Sequence, residues 1–196
     1  MLADIIAARR SAATVLSVFY HSDDQIEKAS GHRCLNFSRY IMDIFTVSFF
    51  GHRRIYDHDK TENKLTNLLR DLLQNHQYVD FLIGRNGDFD TIVSSAIRKT
   101  KRLYRSDNSS HVLVLPYPTA EWQNNLTSFQ SFYDEVEICE KSANAHFRSA
   151  IQIRNRNMID RSDLVVFYLK EKSGGAYLSY QYAKKQNKKT INVAEL

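Results

Sequence analysis

The sequence is most informative over residues 155–176, where a polar stretch, an apolar run and a glycine pair follow one another. Residues 155–163 (NRNMIDRSD) are typical of a polar helix end, residues 164–168 (LVVFY) of a buried strand, and residues 173–176 (SGGA) of a turn that opens another helix. In open parallel sheets, ligands bind outside the carboxyl ends of the strands, where a glycine turn directs backbone N–H groups and a helix N-terminus at an anion. This stretch therefore predicts a ligand that carries phosphate.

The same alternation of short apolar runs and helical stretches extends back to Ile44, which is typical of βαβ units. The pattern predicts strands over residues 44–50, 78–83, 111–115, 135–138, 164–169 and 190–193, and helices over residues 60–74, 88–104, 147–160 and 175–185. Residues 122–131 are polar and fit neither pattern. Because the strands are continuously apolar, both sheet faces should be covered. We therefore expect an α/β fold with a mostly parallel sheet of five or six strands and helices on both faces.

The composition is that of an ordinary globular protein. A chain of 196 residues, 43% hydrophobic and 25% charged, is long enough for one well-buried core. Its net charge of +5 suits a polyanion, and enzymes that bind small phosphates can be equally basic. Cys34 and Cys139 lack metal-type spacing and are too few for a disulfide framework, and no run approaches the ~20 apolar residues of a membrane span. We expect a cytoplasmic protein with reduced thiols and no membrane partner.

Residues 1–41 have no place in this scheme. Arg9 and Arg10 precede a mildly apolar stretch, but no small-residue cleavage site follows, so a signal or transit segment is disfavoured. We expect an N-terminal appendage, either a short amphipathic helix or disordered, before a domain over residues 42–196. If so, a chain lacking residues 1–41 should still unfold cooperatively.

Three predicted loops pair glycine with polar or cationic side chains after the strands that end near residues 50, 83 and 169. Their ligand-binding candidates are Gly51, His52, Arg53, Gly84, Arg85, Asn86, Ser173, Gly174, Gly175 and Ala176. Glycine permits close backbone approach to a phosphate, and arginine supplies a bidentate fork. Any one of these loops alone could be an ordinary turn, but three at one sheet edge predict a nucleotide-type pocket.

Within that pocket we assign a role to each loop. The backbone amides of Gly174, Gly175 and Ala176 are expected to bind a phosphate. Residues 51–53 should form the opposite wall, with His52 either facing the ligand or hydrogen-bonded to the fold. Arg85 and Asn86 are expected to contact sugar or base.

Several of these motifs together resemble a known family. They are residues 49–53 (FFGHR), residues 84–90 (GRNGDFD), residues 157–163 (NMIDRSD), and residues 174–176 (GGA) with Tyr182 and Ala183 downstream. They resemble the YpsA-like branch of the bacterial SLOG superfamily, which relates the DNA-processing protein DprA to the Lonely Guy phosphoribohydrolases. The resemblance implies a Rossmann-like fold over residues 42–196 and a pocket for a nucleotide or nucleotide-derived ligand, used by a sensor or regulatory module.

The resemblance fails at one position that matters for catalysis. Lonely Guy enzymes carry a catalytic glutamate downstream of their glycine motif, and Gln181 occupies that position here. Glutamine cannot act as a general base, so we lean against an enzyme and assign no catalytic residue. Asp88 and Asp90 open a predicted helix, and Asp88 is expected to be its N-cap.

Alternatives remain open at this point. One is a nucleotide N-glycosidic bond hydrolase that uses a different acid. Another is DprA-like single-stranded DNA binding, for which the basic residues 98–105 could track a phosphate backbone, although they also suit a solvated helix end. A homodimer is a further open alternative. His58 lies between two aspartates, but three adjacent residues rarely face one ion, so we expect neither a metal site nor a required cofactor.

Overall fold

The computed structural model describes residues 43–105 and 107–196, apart from the side chain of Arg148. The expected appendage over residues 1–41 lies outside the described residues. The strands are β1 (Ile44–Gly51), β2 (Tyr78–Ile83), β3 (Ser109–Leu115), β4 (Glu135–Ile138), β5 (Leu164–Tyr168) and β6 (Lys189–Asn192). The helices are α1 (His58–Asn75), α2 (Asp88–Leu103), α3 (Ala120–Asn124), α4 (Leu126–Phe132), α5 (Glu140–Ala143), α6 (Phe147–Asp160) and α7 (Gly174–Lys185).

The six strands form one sheet in the order β4-β3-β2-β1-β5-β6, and every neighbouring pair is parallel. This confirms the predicted α/β class, with an all-parallel sheet where a mostly parallel one was expected. Strand order reverses at β1, which lies between β2 and β5. A reversal of this kind opens a crevice at the carboxyl ends of the strands because the flanking loops diverge to opposite faces.

Helices cover both faces, and each face has its own hydrophobic core. Two adjacent residues of β1 belong to different cores. Phe49 packs in the cluster that contains Leu65 and Leu69 of α1, and Phe50 packs in the cluster that contains Met158 of α6. Side chains alternate across a strand, so an uninterrupted apolar strand supplies both cores. The continuous runs seen in the sequence are explained by this two-sided burial.

The polar segment that fitted neither pattern forms the two short helices α3 and α4. Thr119 caps α3, since its Oγ1 accepts a hydrogen bond from the backbone N–H of Trp122 at 3.2 Å. Only Phe129 of this segment's helical residues is buried. The periodic signal is therefore too weak to predict either helix.

None of the described helices combines the length and the apolar character needed to cross a membrane.

Candidate functional site

A cleft of about 350 Å³ lies at the crevice where strand order reverses. The loops after β1, β2 and β5 all contribute to it, as their common position at the carboxyl edge of the sheet requires. Most of the residues proposed from the sequence line this cleft: Gly51, His52, Arg53, Gly84, Asn86, Gly174, Gly175 and Ala176. Phe49, Phe50, Phe89 and Ile151 add apolar surface.

The N-terminus of α7 opens onto the cleft. Gly174 has φ +80°, a left-handed conformation that other residues rarely adopt. A Cβ atom built on Gly174 or Gly175 would meet nothing within 4 Å, so these glycines border open space and are not needed for packing. The first N–H groups of a helix have no partner within the helix and carry its positive dipole end. The cleft therefore offers unpaired backbone donors to an anion.

A buried arginine also lines the cleft. Arg154 of α6 is 3% exposed, and its Nη1 donates to the carbonyl oxygen of Val114 at 2.9 Å. Its Nε has no hydrogen-bond partner among the residues that the structure describes. Burial lowers the pKa of the guanidinium, and the charge of Asp90 opposes that effect. An arginine stays protonated in proteins, so the cleft contains a buried positive charge with unused donors.

Arg154 is not among the residues predicted from the sequence, although a signal for it exists. Ala150, Arg154 and Met158 lie four residues apart, and Ala150 and Met158 are fully buried. An arginine on the inward stripe of a helix is seldom buried without a polar partner or a ligand. The polar motif over residues 155–163 begins one residue after Arg154 and so does not include it.

Asp90 lies in the first turn of α2 and is the acidic residue of the cleft lining. Its Oδ2 accepts a hydrogen bond from the backbone N–H of Asn86 at 2.7 Å. Burial raises the pKa of this carboxyl, and both the Asn86 N–H and the charge of Arg154 act in the opposite direction. Carboxyl groups with a raised pKa in a cleft are candidates for function.

Gly84 lies between these two charged side chains. A Cβ atom there would be 2.8 Å from Arg154 Nη1 and 3.2 Å from Asp90 Oδ2. Asp90 and Arg154 approach the same backbone position but form no ion pair with each other in the described part of the chain. Glycine is therefore needed at position 84 for these two side chains to lie against the backbone.

His52 connects the loops that follow β1 and β5. Its Nε2 accepts hydrogen bonds from the backbone N–H groups of Lys170 at 3.1 Å and Glu171 at 3.2 Å. Lys170 Nζ also binds Asp57 Oδ2 at 2.6 Å, between the same two loops. Of the two roles open to His52, the hydrogen-bonded one is present, and it positions the loop that leads into α7.

Asp88 joins the loop after β2 to the loop after β1. Its Oδ2 accepts from the backbone N–H of Ile55 at 3.0 Å, and its own N–H donates to the carbonyl oxygen of Arg53 at 2.9 Å. The expected N-cap role of Asp88 is therefore wrong: the N-cap is Gly87, and no side chain caps this helix. A Cβ at Gly87 would lie 2.7 Å from the Cα of Arg53, so glycine is needed there for the loops to touch.

Arg85 and Ser173 do not line the cleft. Arg85 Nη2 binds Glu121 Oε1 at 2.7 Å, and its guanidinium lies 4.4 Å from the ring centre of Phe129. Arg85 instead lines a smaller cavity of about 190 Å³ that shares Gly84 and Asp90 with the cleft. Ser173 is the N-cap residue of α7, but its side chain makes no cap hydrogen bond.

The residue at the position of the Lonely Guy glutamate is also outside the cleft. Gln181 lines another cavity, formed by residues of α6 and α7 that include Arg156 and Tyr182. Among the described residues, no three histidine, cysteine or carboxylate side chains are grouped to hold a metal ion.

Several residues of the basic run at 98–105 are engaged within the fold. Arg98 lies over the ring of Phe132 at 4.3 Å, Lys101 pairs with Asp134, and Arg105 pairs with Asp107 at 3.0 Å. These contacts fit the solvated helix end better than a continuous track for a phosphate backbone.

Comparison with known proteins extends to the fold alone. No family model matches the chain, and no curated protein matches it. DNA processing protein A (DprA) from Helicobacter pylori is similar in structure, with a TM-score of 0.51 and 21% identity over 74% of this chain and 63% of that chain. That protein's structure is described in terms of a unique single-stranded DNA binding mode. DprA from Streptococcus pneumoniae matches with a TM-score of 0.53 and 11% identity, over 75% of this chain and 49% of that chain.

The chain thus spans about half to just under two thirds of the DprA chains that it matches. At these identities the likeness carries the architecture and no activity. The described residues have the Rossmann-like α/β fold of DprA structures: a parallel six-stranded sheet with helices around it.

Proposed function

We propose that the cleft binds the phosphate of a nucleotide or nucleotide-derived ligand, and that the protein acts as a sensor or regulatory module. One observation carries the proposal: the open N-terminus of α7 and the buried, incompletely bonded guanidinium of Arg154 line the same cleft. Backbone amides at a helix N-terminus and an arginine fork are two independent ways to bind a phosphate.

The surroundings favour an anion further. Arg53 lines the cleft from the β1 side, so positive charge is present on two walls. Asn155 also lines it: its Nδ2 donates to Ser179 Oγ at 3.2 Å, and its Oδ1, which has no partner among the described residues, can accept from a ligand hydroxyl or amide but not bind the phosphate. Because charge-assisted hydrogen bonds strengthen where water is excluded, Arg154 should contribute most. The motifs that resemble the YpsA-like branch of the SLOG superfamily agree with this proposal.

We test the phosphate site by replacing Arg154 with glutamine. Calorimetric titration with AMP should show that Arg154→Gln weakens binding roughly tenfold or more, because a charge-assisted hydrogen bond is lost. The matched control is Arg156→Gln, since Arg156 lies on the same helix outside the cleft, over the ring of Tyr182 at 5.3 Å. Equal AMP affinity in wild type and a folded Arg154→Gln variant would refute the proposal.

Single-stranded DNA binding is a second candidate, favoured by the fold shared with the Helicobacter pylori DprA and by the net charge of +5. Such binding weakens steeply with salt, since each neutralised phosphate releases a counterion. Titration with an oligothymidylate at several salt concentrations separates the candidates. A steep salt slope that Arg154→Gln leaves unchanged would favour DNA binding outside the cleft.

A hydrolase of N-glycosidic bonds is the remaining alternative. Mass spectrometry of the titrated mixtures distinguishes it, because recovery of free base would show bond cleavage and recovery of intact AMP would not.

A further inference from the structure

We propose that Asp90 binds the ribose 2′-hydroxyl of the ligand and makes the cleft selective for ribonucleotides over 2′-deoxyribonucleotides. This inference rests on the proposed function and adds the ligand's sugar. A ribonucleotide-selective cleft also differs in kind from a DNA-binding groove.

One oxygen of the Asp90 carboxyl group has no hydrogen-bond partner within the described ranges of the chain. Its Oδ2 is held by the backbone N–H of Asn86 at 2.7 Å, and its Oδ1 makes no hydrogen bond to any of the described residues. An ionised carboxylate can only accept hydrogen bonds. It therefore suits hydroxyl groups and repels phosphates. One oxygen is fixed by the fold, and the other is available to a ligand.

Asp90 lies across the cleft from the amides proposed for the phosphate. Asp90 lies beside Gly84 at the end of β2, whereas the amides proposed for the phosphate lie beyond the end of β5. β1 separates these two strands, so their ends are two strand spacings apart, or roughly 10 Å. A phosphate at one side of the cleft therefore places the adjoining sugar towards the other side. Arg154 lines the cleft as well, with its guanidinium on the Gly84 side.

The carboxyl group of Asp90 is also costly to bury. Burial raises its pKa, and the Asn86 N–H and the charge of Arg154 oppose that effect without cancelling it. Gly84 makes room for both groups beside the backbone, because a Cβ there would fall 3.2 Å from Asp90 Oδ2. An acidic side chain that accepts ribose hydroxyls is a recurring device in nucleotide sites of this sheet type.

The cavity next to the cleft can hold the base of the nucleotide. The cavity of about 190 Å³ shares Gly84 and Asp90 with the cleft and is lined further by Phe132 and Tyr133. Aromatic side chains suit a base that continues beyond the ribose. Arg85 lines the same cavity and pairs with Glu121.

The test compares AMP with 2′-deoxy-AMP by calorimetry, for wild type and for Asp90→Asn. We expect wild type to bind AMP roughly tenfold more tightly than 2′-deoxy-AMP, and Asp90→Asn to bring that ratio near one while changing the 2′-deoxy-AMP affinity little. Asp71→Asn is the matched control, since Asp71 is an acidic residue of α1 that pairs with Arg70 and does not line the cleft. Asp71→Asn should keep the wild-type ratio.

The outcomes separate this inference from the proposed function. Equal affinity of wild type for AMP and 2′-deoxy-AMP, with both weakened by Arg154→Gln, would leave the phosphate site standing and overturn the role of Asp90. An Asp90→Asn variant that weakens both nucleotides equally would also overturn it. If wild type binds neither of the two nucleotides and also fails to bind ribose 5-phosphate, both the phosphate site and the role of Asp90 are overturned. Thermal unfolding checks the fold, and Asp90→Asn should melt at or above the wild-type temperature because the buried charge is removed.

Discussion

His111 of β3 is a buried histidine, 1% exposed, whose two ring nitrogens have no hydrogen-bond partner in the described part of the chain. It packs against Tyr133 with ring centres 4.8 Å apart. Burial lowers its pKa from 6.5 to about 4, although the nearby charge of Asp134 favours protonation. The folded state therefore holds this histidine neutral in a range where an unfolded chain would protonate it.

The sign of the resulting pH dependence follows directly. A histidine with a lowered pKa in the folded state leaves stability intact above its unfolded pKa near 6.5, and costs stability as the pH falls towards 4. We predict that His111 costs roughly 2.5 kcal/mol of stability between pH 7 and pH 4.5, at 1.36 kcal/mol per pKa unit. Urea unfolding at pH 7 and pH 4.5 measures it.

The matched variants for this prediction are His111→Phe and His58→Gln. His111→Phe should flatten the pH dependence between 7 and 4.5, whereas His58→Gln, at the exposed start of α1, should leave it as in wild type. A His111→Phe protein with the same acid sensitivity as wild type would contradict this account.

Arg154 and Asp90 show what a residue-level pattern can and cannot predict. Glycines and loop polar residues were predictable because turns need them and because strand ends meet at one edge. The two charged groups that complete the cleft come from helices α6 and α2, and their direction depends on how those helices pack on the sheet. Arg154 was within reach, since it interrupts an apolar stripe, but Asp90 shows no signal that separates it from an ordinary first-turn acid.

At the scale of elements, the loop between β5 and α7 is held by His52. Two backbone N–H groups, those of Lys170 and Glu171, donate to a single ring nitrogen. Each such bond contributes about 1 kcal/mol, and amides in a loop exchange through local opening. We predict that His52→Ala speeds amide hydrogen exchange at residues 170 and 171 by roughly fivefold to tenfold, while the amides of β1 and β5 keep their protection.

His76→Ala is a suitable control, because His76 stacks on Phe45 at the opposite end of the sheet from the cleft. It should leave exchange at residues 170 and 171 unchanged. Unaltered exchange in His52→Ala would mean that other contacts, such as the Lys170 and Asp57 pair, are enough to order this loop.

Elements themselves were predicted unevenly, for physical reasons. Strands such as β2 and helices such as α6 match their expected bounds, because continuous apolar runs and long periodic stretches leave little choice. β3 begins two residues earlier than expected, since Ser109 and Ser110 pair with β2 and the hydroxyl of Ser110 meets that of Tyr78 at 2.7 Å. Polar residues at the start of a strand give no apolar signal, so the start of β3 could not be predicted from the sequence. α3 and α4 were missed because they bury almost nothing.

At the scale of the whole molecule, the sheet order determines where the cleft lies. The sequence predicts parallel strands but not their order, because local patterns carry no information on which strands pair. The order β4-β3-β2-β1-β5-β6 places β1 between β2 and β5 and brings their three loops together. The fold shared with DprA structures follows from this order, and the proposed phosphate site follows from the loops that it joins.

The central claim is that the amides at the start of α7 bind a nucleotide phosphate, and an NMR titration of the ¹⁵N-labelled protein with AMP tests it most directly. We predict that the largest saturable shifts occur at the backbone amides of Gly174, Gly175 and Ala176, and that Gly175→Asp abolishes them, since a carboxylate there would repel and block the anion. Binding of AMP without shifts at these amides, equal binding by Gly175→Asp, or no binding at all would contradict the account.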